Sequence, residues 1–310
     1  MHSKKTQIVT IDPQYAGQRI DNYLIARLKG IPKSRIYRII RKGEVRVNKG
    51  RIKPLYHLKP GDQIRIPPVM VNEPKHSAPS QSLQKLIEQH ILMEDDDLLI
   101  INKPSGLAVH GGSTLTHDLM QVVSMLRPHN IFLRLAHRLD KGTSGCVVIA
   151  KNLNALRELQ ILFKTRKIKK TYLALTKGHW EKEHTKIETY MQKNILQSGE
   201  RRSVVTDEGK AASTEFYVKK RYKIADFVRV LPHTGRTHQI RIHSEYAQHP
   251  IAGDSKYGDH EFNRLMKSVH LHRLFLHAER LQFTWRKREI NVYAPLNEDL
   301  MSVLQQLDRL

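Results

Sequence analysis

The sequence predicts an α+β protein in two parts: a small basic module of two helices and a hairpin, then a larger mixed domain with a mainly antiparallel sheet. Three observations support this prediction. Positive charge is concentrated near the start of the chain, a proline-rich polar stretch follows it, and the strand and helix patterns beyond that stretch do not alternate regularly. With 310 residues, the chain is long enough for one large core and a small satellite domain.

The charge balance narrows the class of partner. The chain has 53 Lys and Arg residues against 30 Asp and Glu, a formal net charge of +23. Residues 16–68 alone hold 14 Lys and Arg against 3 Asp and Glu. A solubilising surface is the alternative, but an excess of this size favours a polyanionic partner, and nucleic acid is the commonest one.

The basic module, residues 16–68, begins with two predicted helices. Apolar residues recur at helical spacing from Ile20 to Leu28, and Gly30 offers a stop. Pro32 is a favourable residue for opening a second helix. The buried stripe of that helix is predicted to consist of Ile36, Ile39 and Ile40. Its outward basic face is predicted to consist of Arg35, Arg38 and Lys42.

A hairpin is predicted after the helix pair. Val45 and Val47 alternate with charged residues, 48–50 supply a turn, and Gln63 to Ile66 form a further short strand. The cations of this module are expected to contact phosphates; we single out Arg35, Arg38, Lys42 and Arg46.

Residues 69–84 are predicted to be a linker with limited stiffness, because they are polar and rich in proline. The larger domain then covers 85–310. Its clearest predicted elements are strands at Leu98–Asn102, Gly145–Ala150, Tyr172–Thr176 and Phe227–Leu231, and a helix at Asn152–Phe163.

Cysteine content and hydropathy exclude several classes. Cys146 is the single cysteine, so no intramolecular disulfide forms, and a zinc site would need His and carboxylate ligands. No apolar signal-peptide region follows Met1, and nowhere do 18 apolar residues run together. The sequence therefore predicts a cytoplasmic protein with no membrane partner.

The best candidate for chemistry is Asp140, within residues 135–151. A polar loop with one carboxylate runs directly into an apolar strand, and Arg138 and Lys141 would keep the carboxylate ionised in a partly dry site. The alternative is that Asp140 only forms a turn with Gly142 and Thr143.

Two resemblances bear on these patterns. Residues 18–24 and 43–48 resemble an S4 RNA-binding domain, which implies that the two helices lie on structured RNA. Residues 135–151 resemble the catalytic motif of RluA-type pseudouridine synthases, whose Asp is the essential residue. Further segments resemble that family in the same order: 101–110, 170–175, 234–243 and 274–278.

The resemblance implies roles for single residues. Asp140 would be the catalytic carboxylate, Arg236 its basic partner, and Tyr172 a ring over the target base with a hydroxyl that accepts the C5 proton. Arg138 would fill the space that a flipped base vacates. Residues implied to bind substrate also include His137, Leu276 and Lys103, with Lys167 and Lys169 clamping phosphates beside the pocket.

The chain departs from the family pattern at Gly142, where many relatives carry a second acid. The alternative for the basic run around Lys167 is a solvated surface.

The implied reaction converts uridine to pseudouridine in 23S ribosomal RNA, on a base flipped out of its stack. Nothing in the sequence demands more than a monomer. Nothing is added or removed, so neither a cofactor nor a metal is expected. A single carboxylate leaves three paths open: attack on C6, attack on C1′, or removal of the C2′ proton.

Two other functions compete. A non-catalytic RNA-binding or ribosome-assembly factor would need only the basic module. A metal-dependent nuclease would need the acids at 94–97 with His233, His238 and His243, but neither set has a known ligand spacing, and on a strand neighbouring histidines would face opposite ways.

Overall fold

The computed structural model describes residues 6–28, 31–69, 78–109, 117–195 and 201–309. The chain divides into two compact units, Met1–Ser77 and Ala78–Leu310. Half of the expected linker, residues 70–77, lies outside the described residues, as do the helix stop expected at Gly30 and His110 of the resembling segment 101–110. Residues 81–84, also expected as linker, belong instead to the first helix of the second unit.

The first unit contains the predicted helix pair and hairpin. Its helices are α1 (Ile20–Arg27) and α2 (Lys33–Arg41). Its strands are β1 (Gln7–Thr10), β2 (Arg46–Val47), β3 (Gly50–Arg51) and β4 (Gln63–Ile66). They form an antiparallel sheet in the order β1-β4-β2-β3. The predicted positions of both helices, the hairpin and the strand at 63–66 are confirmed.

The sequence of α2 explains its orientation. Pro32 caps its start, and Ile36, Ile39 and Ile40 are each at most 2% exposed in the core of this unit. Because these residues lie three and four apart, they form one stripe and leave the opposite side of the helix, with Arg35 and Arg38, exposed.

A buried carboxylate ties the two helices of this unit together. Asp21 is fully buried, pairs with Arg19 at 2.5 Å and accepts a hydrogen bond of 2.8 Å from the hydroxyl of Tyr37 in α2. Burial raises the pKa of Asp21, but the hydrogen bonds from Arg19 and Tyr37 outweigh it and leave the pKa lowered. Asp21 is therefore an ionised tie inside the helix pair.

The second unit is built on one large mixed sheet. Its strands are β5 (Ile91–Glu94), β6 (Leu98–Lys103), β7 (Arg134–Leu135), β8 (Ser144–Ala150), β9 (Lys169–Lys177), β10 (His184–Ile195), β11 (Arg201–Thr206), β12 (Lys210–Arg221), β13 (Ala225–Pro232), β14 (Leu276–Trp285) and β15 (Arg288–Tyr293). The order is β11-β10-β12-β13-β9-β14-β8-β6-β5, with β15 beside β14 and β7 beside β8. Among described residues, only β8 and β14 pair in parallel, so the predicted mainly antiparallel sheet is confirmed.

Six helices among the described residues of this unit cover the two faces of the sheet. They are α3 (Gln81–Gln89), α4 (Leu119–Leu126), α5 (Leu153–Lys164), α6 (Gln239–Tyr246), α7 (His260–Ser268) and α8 (Glu298–Leu307). Alternation along β9 directs Tyr172 and Ala174 to the face that carries α6, and Leu173 and Leu175 to the face that carries α7 and α8. Tyr172 thus lies on the α6 face.

The strand that follows the predicted catalytic loop is held very closely. Every residue of β8 is buried. Gly145 has a φ of +109°, and a Cβ there would lie 2.2 Å from the carbonyl oxygen of Ala278 in β14. Only glycine permits this approach of two backbones. Cys146 follows it, and burial raises the pKa of its thiol to about 12.

Candidate active site

A cleft of about 580 Å³ opens on the α6 face of the sheet. Its size falls within the usual range for sites that hold small ligands. Its walls come from the loop between β7 and β8, the end of α5, β9, Leu276 of β14, and the segment from the end of β13 into α6. Six of the seven residues singled out for chemistry or substrate contact on family resemblance line it together, namely Asp140, Tyr172, Arg236, Arg138, His137 and Leu276.

The loop that carries Asp140 is fastened from beneath by residues just after β6. Ser105 donates a hydrogen bond of 2.7 Å to the carbonyl of Gly142, and the amide of Gly106 donates one of 2.9 Å to the carbonyl of Lys141. Within the loop, the amide of Thr143 donates to the carbonyl of Asp140 at 3.1 Å. The loop therefore has defined backbone contacts, although it carries Gly142 at the position where the resemblance led us to expect a second acid.

Lys103 completes this fastening from a fully buried position at the end of β6. Its ammonium group donates to the carbonyls of Pro104 and Leu107 at 2.9 Å and of Lys141 at 3.3 Å. Burial, reinforced by the charge of Arg273, lowers the pKa of Lys103 to about 7, although Asp140 opposes the shift. Lys103 does not line the cleft, so the predicted substrate contact is wrong: a side chain consumed by three backbone carbonyls and closed to solvent supports the loop instead.

An arginine between two carboxylates holds the candidate catalytic acid. Nη1 of Arg241 lies 3.3 Å from Oδ2 of Asp140, while Nε and Nη2 donate to the two oxygens of Asp254 at 2.7 Å each. Burial lowers the pKa of Arg241, but the hydrogen bonds and charges of Asp254 and Asp140 outweigh it and raise the pKa. Arg241 therefore remains a cation, and Asp254 fixes the plane of its guanidinium.

The partner of Asp140 is thus Arg241 and not Arg236, which corrects the prediction. Arg236 lines the cleft, but its Nε donates to the carbonyl of Ala211 at 3.0 Å. The helix α6 begins at Gln239, so Arg236 precedes the helix whereas Arg241 lies in its first turn. The segment 234–243 does supply the basic partner, from a position five residues further along.

His238 is a second group near Asp140 that the sequence prediction missed. It adopts a left-handed backbone with φ +56° at the start of α6, and its Nε2 lies 3.7 Å from Oδ2 of Asp140. Its Nδ1 lies 3.0 Å from the hydroxyl of Tyr257. Burial lowers the pKa of His238 despite the nearby charge of Asp140, so the ring is neutral near pH 7. The unusual local feature of His238 is a positive φ at a residue other than glycine, and a sequence does not reveal a backbone angle.

Tyr257 joins the two groups that contact Asp140. It is 2% exposed, and the guanidinium of Arg241 lies 5.0 Å from the centre of its ring. Its hydroxyl also accepts a hydrogen bond of 3.3 Å from the amide of Ser203. The ring and hydroxyl of Tyr257 therefore fix Arg241 and His238 at the same time.

Tyr172 lines the cleft as a half-buried ring. Burial, and then the charge of Asp140, raise the pKa of its hydroxyl. The phenol therefore keeps its proton at neutral pH. Stacking of the ring on a base and acceptance of the C5 proton by the hydroxyl stay predictions.

The other side chains predicted to contact substrate differ in their exposure and in their hydrogen bonds to the protein. His137 accepts a hydrogen bond of 3.1 Å on Nε2 from the amide of Val148, and burial lowers its pKa to about 3, so it is a neutral anchor of the loop. Arg138 is exposed. Leu276, 3% exposed, gives the cleft an apolar wall.

The residues of the basic run 164–170 that line the cleft are not the two that the sequence predicted. Lys164, Arg166 and Lys170 line it, whereas Lys167 and Lys169 are exposed outside the lining. In the first unit, the side chains predicted to contact RNA are all exposed, namely Arg35, Arg38, Lys42 and Arg46.

Three of the four acids of the nuclease alternative, Glu94, Asp95 and Asp97, pair with cations. Glu94 pairs with Arg127 and Lys151. The hydrogen bonds from these two cations lower the pKa of Glu94 and outweigh burial, which raises it. Within the described ranges, no three His, Cys, Asp or Glu side chains could hold a metal ion. His238 precedes α6 and His243 lies within it, so these two histidines are not on the strand that the sequence analysis had assumed, and His233 directly follows β13.

Replacing Arg241 tests the ion triad. We expect Arg241→Gln to lower the free energy of unfolding by about 3–5 kcal/mol, because it leaves two part-buried carboxylates without their cation. Arg236→Gln, the matched control, should cost less than about 1 kcal/mol, the value of one hydrogen bond. Chemical denaturation measures both, and equal losses would contradict the assignment of Arg241.

Replacing Lys103 tests the loop support through pH. Its folded pKa of about 7 lies below the ordinary 10.5, so between these values the unfolded chain holds a proton that the folded chain lacks. Stability from this group therefore rises with pH across that window. We expect Lys103→Met to lose about 1–3 kcal/mol for each carbonyl left without a donor.

The Tm difference between the wild type and Lys103→Met should grow from pH 7 to pH 10. Lys141→Met, which removes an exposed lysine of the same loop, is the matched control, and its Tm difference should grow less than that of Lys103→Met. A pH-independent difference for Lys103→Met would show that the buried ammonium does not titrate there.

Comparisons with known proteins agree with this geometry. The family described as RNA pseudouridylate synthase matches residues 97–246, and the S4 domain matches residues 18–64. The chain is 48% identical over 309 residues to ribosomal large subunit pseudouridine synthase C of Haemophilus influenzae, with 98% of this chain and 96% of the relative covered. It is 50% identical over 307 residues to the protein of the same name from Escherichia coli K12, with 97% and 96% covered.

A solved structure supports the same conclusion. The second unit resembles Human RNA Pseudouridylate Synthase Domain Containing 4 with a TM-score of 0.62 and 27% identity, covering 73% of this chain and 96% of that one. Both resemblances drawn from the sequence are confirmed. The chain belongs to the RNA pseudouridylate synthase family and carries an S4 domain ahead of its synthase domain.

Proposed function

We propose that this enzyme isomerises uridines to pseudouridine in 23S ribosomal RNA, with Asp140 as the catalytic carboxylate. The observation that carries the proposal is the position of Asp140 in a cleft with an aromatic ring, an apolar wall and a fixed cation. The substrate follows from relatives near 50% identity that are named as synthases of the large ribosomal subunit.

The chemistry needs one carboxylate that remains close to the reacting base. Glycosidases hydrolyse a glycosidic bond with two carboxylates and a water molecule. An isomerase must instead keep the detached base and exclude water. Asp140, with 23% of its side chain exposed, is the acid of the cleft, and Arg241 orients it.

Each wall of the cleft suits part of a uridine. Tyr172 stacks on the uracil ring as an uncharged phenol, and Leu276 excludes water beside it. The exposed guanidinium of Arg138 can stack and donate hydrogen bonds in the helix position that the flipped base leaves. Lys164, Arg166 and Lys170 attract the phosphates at the mouth of the cleft.

The S4 unit supplies affinity for large RNA rather than chemistry. Arg35, Arg38 and Lys42 are exposed on one side of α2 and form no ion pair with described residues. Unpaired cations at helical spacing match the phosphates of a folded RNA. We also propose that the enzyme acts as a monomer in the cytoplasm. No helix among the described residues is long and apolar enough to cross a membrane.

Replacing Asp140 tests the enzyme against the RNA-binding alternative. We expect Asp140→Asn to lower pseudouridine formation in a 23S transcript by about 10⁴-fold or more, as when a nucleophile is removed. RNA affinity should be retained, because the amide is isosteric. Product is measured by mapping pseudouridines after incubation with EDTA and no added cofactor.

Unchanged conversion by Asp140→Asn would exclude the proposed mechanism. Absence of product from the wild type on 23S RNA would exclude the proposed substrate. Cleavage of the transcript in a parallel incubation with Mg²⁺ in place of EDTA would instead support the nuclease.

Neutralising the α2 face tests the role of the S4 unit. We expect the triple change Arg35→Gln, Arg38→Gln and Lys42→Gln to weaken binding of 23S fragments and to reduce the salt slope by about one for each lost phosphate contact. The turnover number at saturating RNA should remain the same. The matched control neutralises Lys182, Lys223 and Lys267, three exposed lysines outside the cleft, and should leave the salt slope closer to that of the wild type. Equal slopes in both triple variants would contradict the proposal.

A further inference from the structure

A second cavity of about 630 Å³ adjoins the active cleft. The two cavities share three consecutive residues, Gly235, Arg236 and Thr237, as a common wall. The far wall of the second cavity comes from β10, β11 and the turn that leads into β12. Adjacent units of one polymer could therefore occupy the two cavities, on either side of the shared wall.

The polar groups of this second cavity have no partners within the part of the chain that the structure describes. This holds for the amide of Gln192, the hydroxyl of Ser203, the carboxylate of Glu208 and the ammonium of Lys210. Arg236 uses only its Nε, on Ala211, so both terminal nitrogens of its guanidinium are also free among those residues. Elsewhere in this unit, charged groups at the surface commonly pair, as Lys186 does with Glu188 and Lys177 with Asp259.

The floor of the cavity is rigid, which a binding site requires. Met191 and Ser203 are 5% and 6% exposed. The amide of Ser203 donates to the hydroxyl of Tyr257, the residue that also bonds His238 of the active cleft. The backbone of Gly209 passes so close to Met191 that a Cβ would lie 2.7 Å from its carbonyl oxygen.

The chemistry of the walls matches a nucleotide and not an isolated anion. Lys210 and Arg236 provide cations for a phosphate, whereas Glu208 would repel one. A carboxylate does, however, accept hydrogen bonds from the exocyclic amino group of a base, and a glutamine amide can pair with a base edge in two places. The side chain of Met191 offers an apolar surface for the ring.

We propose that this second cavity binds the RNA nucleotide adjacent to the flipped uridine, with Lys210 and Arg236 on the intervening phosphate and Gln192, Ser203 and Glu208 on the base. The site selects a base that carries an exocyclic amino group, because Glu208 needs a donor. The inference rests on the proposed function and adds a determinant of which uridines are modified.

The test uses a fragment of the 23S transcript cut around a uridine that the full-length wild-type enzyme converts. An abasic nucleotide is placed at each neighbouring position in turn, which removes the base and keeps the phosphate. For the wild type, we expect KM to rise about tenfold at one of the two positions, with kcat unchanged, since a base-edge contact is lost away from the reacting atoms. Uracil at that position should raise KM similarly.

Gln192→Ala separates this site from a general loss of affinity. It should raise KM about fivefold to tenfold on the intact fragment and have no further effect on the abasic one, because both changes remove the same contact. Lys210→Gln should raise KM on both fragments, since the phosphate is present in both. The matched control Lys223→Gln removes an exposed lysine beyond the other end of β12, roughly 35 Å away, and should leave KM unchanged.

The outcomes distinguish this inference from the proposed function. If the wild type converts uridines but tolerates an abasic nucleotide on both sides, the second cavity does not bind a neighbouring base. Independent, additive effects of Gln192→Ala and the abasic nucleotide would also overturn the inference. If the wild type converts no uridine in 23S RNA, the proposed substrate fails first.

Discussion

The ion triad Asp254–Arg241–Asp140 is the constraint on which the candidate site depends. Asp254 takes two of the guanidinium's nitrogens and so fixes its plane, while the third faces the candidate catalytic acid. Tyr257 closes the arrangement, because its ring lies against Arg241 and its hydroxyl holds His238. The acid is therefore oriented by a cation that is itself held from two sides before any RNA arrives, which is the arrangement expected of a preorganised site.

The backbone around the triad is equally fixed. Lys103 and Ser105 hold the carbonyls of the catalytic loop, and Gly145 brings the next strand against β14 more closely than any side chain would allow. Gly253 does the same beside Asp254, where a Cβ would lie 1.9 Å from the carbonyl of Arg273. A pocket with so little freedom can vary in specificity only at its rim, which the basic run and the hairpin strands form.

Most of the fold was predictable from local patterns, and the site was predictable to within a few residues. The stripe of α2 and the wholly apolar β8 have periodicities that tertiary packing did not override. The choice of Arg236 over Arg241 failed because it depends on where α6 begins, and a left-handed His238 sets that point. Lys103 was misread for a related reason: sequence gives no sign that a lysine at a strand end is closed to solvent, nor which carbonyls compensate its burial.

The packing of β8 has a practical consequence for chemical labelling. Cys146 is the one cysteine of the chain, it is buried, and its thiol has a pKa near 12. Maleimides and similar reagents react with the thiolate, so the buried native thiol does not react with them while the protein is folded. A cysteine introduced on the surface would be the single reactive thiol, and fluorophores or crosslinkers to RNA can be attached without first removing the native residue.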